Sequence, residues 1–115
     1  MRSLSIAQRR EKQLKRFNEV YIKDEEKARK IFNSYYRYVA LYERVLTMDN
    51  DSRWYGSRYH QEESKKAERW EKRLAEWLKP YNISVYVPWS IPFLGIKDDK
   101  TGAIMETVID PILYN

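Results

Sequence analysis

From Ser5 to Thr47 the apolar positions recur with a heptad period. Leu14, Tyr21, Ala28, Tyr35 and Tyr42 are seven residues apart, and Phe17, Ile31, Tyr38 and Val45 fall three residues after four of them. A stripe at that spacing occupies one face of an α-helix. No Pro or Gly precedes Gly56, so no local breaker interrupts the run. The one polar residue on the stripe is Asp24, followed by Glu25 and Glu26, which also reads as an N-cap with an acidic first turn. The pattern admits one helix over 5–47 with a polar notch, or two helices meeting near Asp24. The continuous helix is the expectation.

Met48 to Ser52 (MDNDS) is a turn signal, with Asp51 or Ser52 as the next N-cap. A second helix is predicted from there to Lys79, where Pro80 stops it, and Gly56 leaves a later start near Ser57 open. Ala67, Trp70, Leu74 and Trp77 form its apolar seam. Glu62 with Lys66, Glu68 with Lys72 and Lys72 with Glu76 lie at i,i+4 and predict a charged solvent face. At the helical rise the two helices measure roughly 64 Å and roughly 42 Å. Folded back about residues 48–51, they bring Ala28 near Trp70 and Tyr21 near Trp77, and leave the N-terminal segment overhanging.

Past Pro80 the period changes. Ile83-Ser-Val-Tyr-Val87 alternates as a strand does, with Pro88 and Pro92 restricting it to an edge. Phe93–Lys97 and Ala103–Ile109 flank Asp98-Asp99-Lys100-Thr101-Gly102, a hairpin loop with Gly102 in the left-handed region. The predicted fold is α+β: a long antiparallel helical hairpin packed on a small C-terminal antiparallel sheet. Its 115 residues suit a single domain, with 1–16 as an N-terminal arm, 17–79 as the hairpin and 81–115 as the sheet.

Charge adds one feature to this picture. The formal net charge is +5. Arg2, Arg9, Arg10, Lys12, Lys15 and Arg16 face Glu11 alone in the first 16 residues, and the remaining basic and acidic side chains cancel. The chain is a basic arm on a neutral body. Such an arm neutralises phosphates with little sequence reading, or meets an acidic protein surface.

The arm residues are therefore candidate contacts for nucleic acid or a protein partner. Tyr35, Tyr38 and Tyr42 fall on the heptad seam and read as core, whereas Tyr36 lies off it and is a candidate contact. Trp54 and Tyr55, crowded with Tyr59 at the start of the second helix, are candidates because Trp and Tyr concentrate at binding hot spots.

Catalytic chemistry finds no such support. With no Cys and one His, the chain offers no thiolate and no multi-histidine metal site. His60 and Glu63 have a spacing used in carboxylate-bridged metal sites, but those need more ligands. Asp99-Lys100-Thr101-Gly102 matches part of the aspartyl-phosphate motif of P-type ATPases, with Ala103 where that family has Thr, and reads as a turn. No nucleophile elbow, P-loop or dinucleotide fingerprint occurs. The expectation is a protein that is not an enzyme and carries no cofactor or metal. Without a membrane-length apolar run or a signal-peptide pattern, it is expected in the cytoplasm.

A starting Met, about a hundred residues, no Cys and abundant Lys, Glu and Tyr resemble small accessory proteins of phages and integrative elements of low-GC Gram-positive bacteria. Within these the chain looks most like the anti-CRISPR class, particularly inhibitors of type II nucleases, some of which join a basic N-terminal segment to a small helix-plus-sheet body. The resemblance implies stoichiometric binding of a guide-loaded nuclease in a bacterial host. Many of that class imitate DNA with acidic surfaces; this basic chain departs from that pattern. The expected function is inhibition or modulation of a nucleic-acid-processing complex by a monomer or homodimer. Direct nucleic-acid binding through the arm is the alternative, and an assembly subunit the third.

Overall fold

The acidic run at 24–26 breaks the first helix. The computed structural model describes residues 5–87 and 91–111. In it α1 spans Ile6–Arg16, continues as a single wide turn over Phe17–Ile22, and stops at Lys23, whose φ of 58° is left-handed. Asp24 is extended, and its side chain accepts from the Lys27 N–H as the N-cap of α2, Glu25–Asp49. The continuous helix over 5–47 is thus corrected to two. A carboxylate that caps a new helix offers its orphan N–H groups a partner, which the interior of a continuous helix would not need. The wide turn has its own cause. Residues five apart lie about 140° apart on an α-helix, but the turn's i→i+5 bonds bring Phe17 and Ile22 back toward one face, where both are buried.

The break reverses the chain, and α1 packs antiparallel along α2. Phe17 lies against Phe32, and Tyr36 donates a 2.5 Å hydrogen bond to Gln13 Oε1. Glu11 pairs with Arg29 at 3.6 Å. The predicted overhang therefore does not exist over its described part. Phe32, Tyr36 and Val39 form a second buried stripe on α2, and α1 covers it.

α3 spans Arg58–Leu78, capped by Ser57, whose Oγ accepts from the His60 N–H. This is the later of the two starts the sequence allowed. The longer turn shifts the helical pairing. Asp49 meets His60, Arg44 meets Glu63 and Lys30 meets Trp77, so the expected partners Ala28–Trp70 and Tyr21–Trp77 are corrected by more than two helical turns. None of the three predicted i,i+4 pairs closes as an ion pair; Glu62 turns to Arg58 instead.

A short 3₁₀ turn, Lys79–Tyr81, leads into β1 (Ser84–Tyr86), β2 (Phe93–Lys97) and β3 (Ile104–Ile109). They form an antiparallel sheet in the order β1-β2-β3, with β1 at one edge, as expected. Gly102 closes the β2–β3 loop at φ 73°. On β2, Gly95 leaves no space for a side chain: a Cβ would stand 3.1 Å from the Glu106 carbonyl and 3.2 Å from the Tyr86 ring.

α2 is the centre of the core. Its Phe32 flank meets α1, its Ile31 and Tyr38 flank meets α3, and Tyr35 reaches the sheet side through a 2.7 Å hydrogen bond to the Pro92 carbonyl. The helices form one layer and the sheet a second, and the described molecule measures 43 × 43 × 26 Å. One face of α2, bearing Asn33, Arg37 and Ala40, stays open to solvent.

Candidate partner-binding site at the hairpin tip

The turn between α2 and α3 is built rather than loose. Asp51 organises it: its Oδ1 accepts from the Arg53 N–H at 2.9 Å, and its carbonyl accepts from the N–H groups of Trp54 and Tyr55. The Arg53 guanidinium returns to the same carboxylate at 3.2 and 3.0 Å. These bonds, the Arg53 side chain foremost, hold the Asp51 carboxyl below its ordinary range. Gly56, at φ 76°, supplies the left-handed step that brings the chain to Ser57.

His60 locks the turn from below. Its Nδ1 accepts from the Gly56 N–H at 3.2 Å, so Nε2 carries the hydrogen and donates to Asp49. Gln61 adds a 3.0 Å bond to the Gly56 carbonyl. His60 and Glu63 therefore serve different partners, Asp49 and Arg44, and do not converge.

On this frame stand three aromatic rings. Trp54, Tyr55 and Tyr59 are 48%, 67% and 44% exposed. Trp54 and Tyr59 meet edge to face at 6.4 Å, and with Arg44, Met48 and Asp51 they line a cleft of about 380 Å³. The arginines around them are already neutralised: Arg53 by Asp51, Arg58 by Glu62 and Arg44 by Glu63. A surface of exposed Trp and Tyr with compensated charge suits a desolvated protein contact better than a phosphate chain.

The other sequence candidates fall elsewhere. Arg2 lies outside the described residues, as does Trp89. Arg10 is exposed and packs over the Tyr36 ring at 4.3 Å, whereas Tyr36 is buried between α1 and α2 and is not the surface contact expected of it. Tyr36 sits off the first seam because it belongs to the second. Arg16 donates to the Val108 carbonyl at 3.3 Å and stands 3.8 Å from Glu106, which also receives the Tyr21 hydroxyl. It caps an open sheet edge. Arg9 is half-buried, and Lys12 and Lys15 are exposed. The structure thus brings Trp54 and Tyr55 together, and no hydrogen bond, ion pair or ring contact joins them to the described arm residues. The expected N-cap at Asp51 or Ser52 is corrected to Ser57; Asp51 instead organises the loop, a role the Asp51-x-Arg53 spacing signals.

Among the described residues no helix is long and apolar enough to cross a membrane, and no group of three or more His, Cys, Asp or Glu could hold a metal. Comparison with protein-family models, curated proteins and solved structures gives no match.

Proposed function

We propose that this chain is a non-catalytic binding protein that docks its hairpin tip on a protein component of a nucleic-acid-processing complex. The observation that carries the reading is the pre-organised display of Trp54, Tyr55 and Tyr59 on a hydrogen-bonded turn. Rigid aromatic anchors gain affinity because little conformational freedom is lost on binding. The reading extends to a mobile-element inhibitor acting in a bacterial cytoplasm, with a guide-loaded type II CRISPR nuclease as the first complex to test.

The experiment measures target cleavage by that nuclease with increasing amounts of the chain, alongside complex formation by size exclusion. Inhibition near one-to-one stoichiometry, lost in Trp54→Ala/Tyr55→Ala while the circular dichroism spectrum is kept, is the expected result. No complex and no change in cleavage would set the inhibitor reading aside.

Direct nucleic-acid binding by α1 retains one supporting observation. Lys12 and Lys15 are exposed and form no ion pair among the described residues. Lys12→Glu/Lys15→Glu tests it separately from the tip.

A further inference from the structure

The seam between α2 and α3 carries a feature that the tip does not explain. Along it lie Trp70 and Trp77, two half-buried indoles seven residues apart on α3, with Trp77 beside Lys30 and Ile31 of α2. Each has a cation over it. Lys30 Nζ is 4.7 Å from the Trp77 ring centre, and the Arg73 guanidinium is 4.9 Å from that of Trp70. On α2, Lys30, Arg37 and Arg44 repeat every seven residues and are all exposed, a spacing of about 10.5 Å along the helix. Between Glu26 and Glu43 that helix has no carboxylate.

Lys66 precedes Arg73 by seven residues and stands on the same side of α3. Among the described residues Lys30, Arg37, Lys66 and Arg73 form no ion pair within 4.0 Å, unlike the arginines at the tip. Unpaired cations in a row attract a chain of phosphates, and indole faces beneath movable cations offer platforms for bases. A duplex hides its base faces and a single strand presents them. An acidic protein would use the cations and ignore the indoles.

We infer that the α2–α3 seam is a binding track for single-stranded nucleic acid, with Lys30, Arg37, Lys66 and Arg73 holding phosphates and Trp70 and Trp77 stacking bases. The track is separate from the tip in residues and in chemistry. Together they would let one small chain contact the protein and an exposed strand of the same complex.

The test is fluorescence anisotropy of a labelled oligothymidylate with the full chain across a salt series. Four phosphate contacts predict a slope of log K against log salt of about −2.8. Arg37→Glu/Arg73→Glu, at two exposed positions, should weaken binding at least about tenfold and reduce the slope by about half. Tryptophan emission should be quenched on saturation, and less so in Trp70→Phe/Trp77→Phe. Trp54→Ala/Tyr55→Ala should bind the oligothymidylate as the parent does, whatever becomes of the tip reading. The inference is overturned by no binding at low salt, by tighter binding of duplex, or by loss only in Lys12→Glu/Lys15→Glu. Equal binding of polyglutamate without quenching would assign the seam to an acidic protein and overturn it too.

Discussion

Tyr35, fully buried in the middle of α2, donates its hydroxyl hydrogen to the carbonyl of Pro92, the residue before β2. The bond joins the helical layer to the sheet at a point where no water can replace it. Tyr35→Phe keeps the ring and leaves that carbonyl without this donor, which should cost about 1–3 kcal/mol. Urea denaturation checks it; an unchanged midpoint would mean the layers do not depend on this bond.

Lys23 pays a conformational cost at φ 58° to turn the chain from α1 into α2, while its side chain lies in solvent. Glycine adopts the left-handed region without the Cβ clash. Lys23→Gly should raise stability by up to about 1 kcal/mol, and Lys23→Val should lower it by about as much. Thermal melts of the two variants should move in opposite directions. Equal melting would contradict the break.

The shifted pairing of α2 and α3 has a direct chemical test, because the chain has no cysteine of its own. Cysteines replacing Arg44 and Glu63, whose side chains meet at 3.4 Å, should cross-link with a short bis-maleimide. Cysteines replacing Ala28 and Trp70 should not. Mass spectrometry of the products separates the two registers.

Alkaline pH should loosen the core through its tyrosines. Burial raises the phenol pKa of Tyr38, Tyr42 and Tyr21, with Glu71 adding repulsion at Tyr38, Asp49 at Tyr42 and the Glu106 hydrogen bond adding to the rise at Tyr21. A phenol held above its unfolded value contributes its full stability below about pH 10 and loses it as pH climbs through the native value. Stability should therefore hold to about pH 10 and fall beyond it, and Tyr38→Phe should flatten the fall. Denaturant midpoints across that range measure it; a parallel fall in the variant would place the effect elsewhere.

Much of this architecture was legible locally. The Asp24 cap, the stop at Pro80, the left-handed Gly102 and the positions of the three strands are each set by a residue and its immediate neighbours, although burial along the strands does not alternate as expected. The choice between one helix and two was open because seam and cap occupied the same residues. The seam misled for a physical reason: a stripe shows that a face is buried, and not against what. Tyr36 illustrates it, being off the first stripe and equally buried.

The sequence by itself determined which stretches are helical and which extended, the α+β class, the basic N-terminal segment and the crowding of aromatics after the first turn, because these follow from spacing and residue type. Only the tertiary structure decided where the basic segment goes, how α2 and α3 are registered, and which aromatics face water. Those outcomes depend on contacts between residues far apart in the chain, such as Gln13 with Tyr36 and Arg16 with Val108. Their free energy comes from burying whole faces together, a quantity that no local pattern contains.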